Sequence, residues 1–346
     1  MKTKIRKTES AEGADVINQV VTDRYSIYHA DCVEGFRKLP DNSLDYIIFS
    51  PPFSSLYTYS ASDRDMGNSK GDGEFFTHYG FLIKEMLRTL KPGRLLSFHC
   101  MNLPTSKAHH GYIGIRDFRG DLIRAKQEAG FIYHSEVCIW KDPVTAMQRT
   151  KALGLLYKQL RKDSCMSRQG VPDYLVTMRK PGENDKPVNH FAPDDPKRHD
   201  DHEDKVFPVG LWQQYASPVY GDNLPDDVWM PGLLILREGD DSMADRYPEP
   251  VWMDINPNDT LQFRSAREHA DERHICPIQV QVVQRGIRLW TNPNDVVATP
   301  FMGIGSEVYV AIQEGRRGVG FELKESYFKQ AALNIASAQS RQATLF

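Results

Sequence analysis

No run in this 346-residue chain approaches the ~20 consecutive apolar residues that a membrane-spanning helix needs. Cysteine is sparse: Cys32, Cys100, Cys138, Cys165 and Cys276 stand far apart and form no C-x-x-C pair. That spacing excludes a disulfide framework and a zinc ribbon, and it fits a reducing, cytoplasmic setting. Excess charge is missing too. At a net charge of −3, a nucleic-acid partner requires a local basic face rather than a basic whole. The opening MKTKIRKTESAEGAD has charges but no apolar centre, so residues 1–24 read as a flexible tail and not as a secretory signal.

What is present is alternation. YSIYHA, SLDYIIFS, RLLSFHC and FIYHSEVCIW read as strands, with CVEGFRKL, FFTHYGFLIKEMLRTLKPG and RDFRGDLIRAKQEAG as helices between them. That is the order of a doubly wound α/β sheet. After about Lys141 the pattern weakens, although PDYLVTMRKPG is still strand-like. Residues 181–273 are irregular and broken by proline, and read as a module inserted between two blocks, 25–180 and 274–346. Within that module DDPKRHDDHEDK mixes His and Asp, yet without apolar framing it reads as a solvated loop rather than a metal site. Regularity returns with a helix in HICPIQVQVVQRGIRLW, a strand, glycine turn and helix in DVVATPFMGIGSEVYVAIQEG, and a strand in RRGVGFEL. KESYFKQAALNIASAQ closes the chain as a helix.

Two stretches carry chemistry. In Phe49-Ser50-Pro51-Pro52-Phe53 the paired prolines fix two φ angles and remove two backbone donors, making a rigid turn at a strand's carboxyl end. That end is where an α/β sheet holds its ligand. In PFMGIGSE, Gly303 and Gly305 sit between a strand and a helix, where the missing Cβ atoms admit an adenosine or phosphate. Glu322 follows at the end of the next strand, the place of a ribose ligand. Val308 replaces the third glycine of a dinucleotide fingerprint, so by itself the turn reads equally as an ordinary strand–helix connection.

Together, FSPPF and TPFMGIGSE resemble the catalytic and cofactor motifs of the amino-methylating DNA methyltransferases. The catalytic motif comes first, which is the order of the beta class. HADCVEGFRKLPDNSLDYII, HICPIQVQVVQRGIRLWTNPNDVV and RRGVGFELKESYF support the resemblance, which covers roughly residues 25–180 and 270–335. It departs at Thr299, where Asp is usual, and at Glu307, where a small residue is usual. The resemblance implies a circularly permuted Rossmann-like fold, a mixed seven-stranded sheet with helices on both faces, and an inserted target-recognition region.

It further implies S-adenosylmethionine as cofactor, double-stranded DNA as substrate, and possible homodimerisation. Ser50, Pro51, Pro52 and Phe53 would be catalytic. Asp31, Cys32, Ser50, Phe301, Gly303, Gly305, Ser306, Glu322 and Leu323 would surround the cofactor, with His274, Pro277 and Gln279 contributing from the helix ahead. Cys32 reads equally as a small buried hydrophobe. Tyr57 and the basic run Arg149, Lys151, Lys158, Arg161, Lys162 and Arg168 are expected at DNA, with Arg264 and Arg267 as weaker candidates. The run reads equally as a solvated helix face.

The expected reaction is methylation of an exocyclic amino group, N6 of adenine, with cytosine N4 as the alternative. Methylation of protein glutamine stands further off. The sequence argues against carbon-5 cytosine chemistry, since the cysteine of that family follows a proline and no Pro-Cys dipeptide occurs.

Overall fold

The computed structural model of the chain describes residues 16–52, 72–105, 107–142, 161, 163, 165, 170–188, 250–266 and 277–343. The first block contains β1 (Val16–Val21), β2 (Tyr25–Ala30), α1 (Cys32–Arg37), β3 (Leu44–Phe49), α2 (Asp72–Thr89) and β4 (Leu90–Met101). It continues with β5 (Leu103–Thr105), α3 (Lys107–His110), β6 (Gly114–Arg116), α4 (Phe118–Glu128), β7 (Ile132–Ile139) and β8 (Asp173–Arg179). Then come β9 (Val251–Trp252), α5 (Val280–Trp290), β10 (Val296–Thr299), α6 (Ser306–Gln313), β11 (Arg317–Glu322) and α7 (Glu325–Ala343). Among the described residues, no helix is long and apolar enough to cross a membrane.

One sheet runs β1-β2-β11-β10-β3-β4-β8-β7-β9. From β2 to β4 the neighbours are parallel, and β8 runs against both β4 and β7. The expected seven-stranded mixed sheet is the stretch from β2 to β7, and β1 and β9 extend it at either edge. The expectation of a tail over 1–24 is corrected at its end. Val16–Val21 pairs antiparallel with β2 and buries Val20. The hairpin is closed by Thr22, whose hydroxyl accepts from the backbone N–H groups of Arg24 and Tyr25. Asn18 and Gln19 interrupt the apolar alternation and hide this strand in the sequence.

Every residue of β3 is buried, because helices cover both faces of the sheet. Tyr46 and Ile48 face a core built with Val282, Val283 and Ile287 of α5, Val310 of α6 and Phe328 of α7. Ile47 and Phe49 face the other core, with Phe75, Tyr79 and Leu82 of α2 and Leu122 of α4. The centre of the sheet is therefore the seam between β3 and β10, where the two distant blocks meet.

Charges close this seam at its amino end. Arg94 Nη2 meets Asp295 Oδ2 at 2.5 Å and its Nε donates to the Asp45 carbonyl at 2.8 Å. Lys91 pairs with Asp45 Oδ1 at 2.6 Å, while Asp45 Oδ2 accepts from Val296 N–H at 2.8 Å. Lys186 pairs with Asp295 at 2.9 Å, which ties residues 181–188 to the main body. Residues 250–266 join the main body elsewhere, at the carboxyl end of β7 on the edge of the sheet: Trp252 is fully buried as part of β9, and Asp254 forms a bidentate pair with Arg285.

Candidate active site

Because β2, β11, β10 and β3 are parallel, their carboxyl ends stand in a row on one side of the sheet. The chain leaves β10 through α6 toward β11, and leaves β3 through α2 toward β4, so it turns in opposite directions at the β10–β3 seam. That topological switch point opens a crevice in which α/β sheets bind ligands. The register Ala298↔Ile47 brings the two motifs out of the sheet side by side, with the Phe49 and Phe301 ring centroids 5.8 Å apart.

The glycine turn has two different glycines. Gly305, at φ +90°, lies under α7, where an added Cβ would meet Ile335 and Ala331 at 3.0 and 3.1 Å. Gly303, at φ +54°, has nothing within 4 Å of that position. Both need the left-handed region that glycine enters without penalty. Gly303 N–H donates to Glu322 Oε2 and Lys324 N–H to Oε1, each at 2.8 Å, so the carboxylate at the end of β11 fixes the turn beside it. Leu323 contributes its carbonyl to His29 Nε2 at 2.9 Å.

On the neighbouring strand, Asp31 caps α1, its Oδ1 accepting from Val33 and Glu34 N–H at 2.9 and 3.1 Å. Desolvation, with Asp31 and Glu322 nearby, holds the Cys32 thiol well above its usual range, so it stays an uncharged thiol. In the first turn of α6 the carboxyl of Glu307 is buried, which pushes it up to about 8, with Glu322 adding to the rise.

Among the described residues, buried side-chain atoms at this end that lack a protein partner include Thr299 Oγ1 at the end of β10, Ser306 Oγ at the start of α6, and Gln279 Oε1 at the N-cap of α5. Buried polar groups are nearly always paired, so these orphans fit a polar ligand bound at this end of the sheet. The open space at Gly303 fits the same conclusion.

Ser50 is half-buried at the end of β3, followed by buried Pro51. Its Oγ lies 3.1 Å from His99 Nδ1 on β4. His99 Nε2 in turn lies 3.1 Å from Asp173 Oδ2 at the start of β8, and Asp173 Oδ1 pairs with Lys141 at 2.5 Å. His99 and Asp173 are both buried. Burial would raise the Asp173 carboxyl, but Lys141 and His99 outweigh it and hold it at about 2. This chain of groups was not among the sequence candidates. A histidine in an apolar strand and an aspartate 74 residues later have no local signature.

The structure thus brings together Ser50, Pro51, Pro52, Asp31, Cys32, Phe301, Gly303, Gly305, Ser306, Glu322 and Leu323 at one end of the parallel strands. Pro277 and Gln279 lead into α5. Arg161 and Arg264 are exposed. Phe53, Tyr57, Arg149, Lys151, Lys158, Lys162, Arg168, Arg267 and His274 lie outside the described residues.

A family model described as DNA methylase, for N6 and N4 methylation, matches residues 44–333. Type II methyltransferase M.BglII of Bacillus subtilis is 35% identical over 303 residues, 87% of this chain and 66% of that protein. Type II methyltransferase M.BamHI of Bacillus amyloliquefaciens is 24% identical over 305 residues, 87% of this chain and 55% of that protein. The chain therefore spans between half and two thirds of these relatives' lengths. A Thermus thermophilus protein solved in complex with S-adenosyl-L-methionine superposes with a TM-score of 0.56 at 19% identity, covering 92% of this chain and 94% of that one, a likeness of fold.

Proposed function

This chain belongs to the N6/N4 DNA methylase family, and from that premise we propose that it is a site-specific DNA methyltransferase acting on an exocyclic amino group with S-adenosylmethionine as methyl donor. The observation that carries the reading is the adjacency of the Ser50-Pro51-Pro52 turn and the glycine turn at the switch point of the sheet. When bound, S-adenosylmethionine supplies a methyl group on a positively charged sulfur.

The chain's own residues divide the remaining work. Phe301, Gly303, Gly305, Ser306, Glu322 and Leu323 line the cofactor's side of the crevice, and Asp31 and Cys32 close it at β2. Pro277 and Gln279 complete it from the start of α5, and His274 is assigned to the same side from the sequence. An exocyclic amine is a weak nucleophile because its lone pair is delocalised into the base. Two acceptors aimed at its hydrogens, Ser50 Oγ and the Pro51 carbonyl, draw it toward a pyramidal geometry and free that pair. The rigid Pro51-Pro52 turn keeps both acceptors in place, which is catalysis by positioning. Phe53 stacks on the base once it leaves the helix.

Residues 181–273 serve as the target-recognition module, and the basic run from Arg149 to Arg168, with Tyr57, meets the DNA. Of the two bases, adenine N6 is the reading taken from the sequence. Cytosine N4 is a second one, favoured by Ser50, since adenine enzymes of this family more often carry Asp or Asn at that position. Incubation with unmethylated DNA and S-adenosylmethionine, digestion to nucleosides and mass spectrometry test both. Methyl on the deoxyadenosine amino group supports the first and methyl on that of deoxycytidine the second. No methylated nucleoside from DNA of genomic complexity, with cofactor binding demonstrated, would end the DNA reading.

A further inference from the structure

Ser50 Oγ is asked to accept a hydrogen from the substrate amine, yet a hydroxyl also carries a hydrogen of its own that must point elsewhere. The buried groups behind it fix where. Asp173 is an ionised carboxylate paired with Lys141, and an ionised carboxylate only accepts. The His99 nitrogen facing it, Nε2, therefore carries a hydrogen, and in the neutral ring Nδ1 presents a lone pair toward Ser50 at 3.1 Å. In that tautomer the serine hydroxyl donates to His99 and turns both oxygen lone pairs outward.

We propose that His99, oriented by Asp173, is a positioning residue that makes Ser50 a pure acceptor for the amine and then receives the proton the reaction releases. This rests on the methyltransferase reading above. As the amine nitrogen bonds to the methyl carbon, the carbon–sulfur bond breaks and its electron pair stays on sulfur. The nitrogen, now positive, sheds one proton to Ser50 Oγ while the serine's own proton passes to His99 Nδ1. The imidazolium so formed faces the Asp173 carboxylate, and water later removes its proton. Among the described residues, the groups facing His99 from packed elements are Ser50 on the β3 side and Asp173 on β8, with Lys141, after β7, reaching it through Asp173. Four neighbouring segments thus converge on one proton path, an arrangement also seen in serine–histidine–carboxylate catalysis, where a buried carboxylate holds the imidazole tautomer.

Two measurements test it. Nitrogen NMR of the histidine-labelled protein without cofactor or DNA, with His99 assigned through His99→Gln, should show a neutral ring protonated at Nε2. Asp173→Asn should shift the proton to Nδ1. A ring protonated at Nδ1 in the unaltered protein would overturn the inference, since the serine would then be receiving a hydrogen from His99.

In steady-state methylation of unmethylated genomic DNA with labelled S-adenosylmethionine, His99→Gln should lower kcat about 10- to 100-fold, the scale of general acid–base assistance. Cofactor Kd, read by calorimetry, should stay unchanged. In a Ser50→Ala background the same change should cost under about threefold, because the two side chains act as one unit. A full, additive loss in that background, or an unchanged kcat in the single variant, overturns the relay while leaving the methyltransferase reading intact. An unaltered protein that binds cofactor but methylates no DNA overturns both.

Discussion

At the amino end of the β3–β10 seam, each buried carboxylate has its cation: Asp45 has Lys91, and Asp295 has Arg94 and Lys186. At the carboxyl end of the same strands, Thr299 and Ser306 hold buried oxygens without protein partners, and Glu307 carries a carboxyl that burial forces up. The charges at one end of the seam are paired, while the buried oxygens at the other are not. Unpartnered buried atoms also occur elsewhere among the described residues, Arg24 Nε and Arg119 Nε among them, so what singles out Thr299 and Ser306 is their place beside the glycine turn, where stability yields to binding.

The largest expected effect comes from breaking the saturated end. Arg94→Met strands the Asp295 carboxylate with Lys186 as its remaining cation, and removal of one partner of a buried pair costs about 3–5 kcal/mol. Urea titration should show that loss, while cofactor Kd of the folded protein stays within about twofold, because the lesion lies across the sheet from the crevice.

A smaller effect of opposite sign is expected from Glu307→Gln. A carboxyl whose folded value stands near 8 keeps its proton in the native state after the unfolded chain has lost it. Native stability therefore falls as pH rises from the ordinary carboxylate range through about 8, and is largely restored below that range. Removing the acid should leave stability at pH 5 nearly unchanged. At pH 8.5 it should raise stability by an amount on the order of a few kcal/mol, seen as a higher urea midpoint. A variant destabilised equally at both pH values would mean that Glu307 is held by interactions that offset its burial.

The smallest effect sharpens the contrast most. Thr299→Val keeps the shape and deletes an unpartnered buried hydroxyl, so thermal unfolding should show a gain of about 1 kcal/mol. The same variant should weaken cofactor binding several-fold by calorimetry. Better stability bought with poorer binding is the signature of a site group; loss of both would make the oxygen structural.

Legibility in the sequence followed the same division. Strands such as SLDYIIFS and DVVAT, and the turns that end them, were readable because a doubly covered parallel strand is a continuous apolar run with glycine or proline after it. The residues expected at the site stand at those strand ends. What escaped depends on tertiary pairing. His99 sits inside an apolar strand, Asp173 opens another, and Lys141 follows a third, so only the antiparallel match of β4 with β8 and of β7 with β8 assembles them. Trp252 and Asp254 escaped for a similar reason, since their irregular sequence gave no hint that it joins the sheet edge.

The seam at the centre of the sheet also sets a timetable for biosynthesis. Val296, which bonds to Asp45, lies 251 residues further along the chain. At about 5–20 residues per second, ribosomal elongation takes roughly 10–50 seconds to produce it. Throughout that interval the apolar strand β3 has one flank without its permanent neighbour, an open invitation to aggregation in the nascent chain. Permuted order thus makes the newborn polypeptide dependent on whatever shields that flank, and a chain arrested before β10 should be a client of chaperones in a way that the finished protein is not.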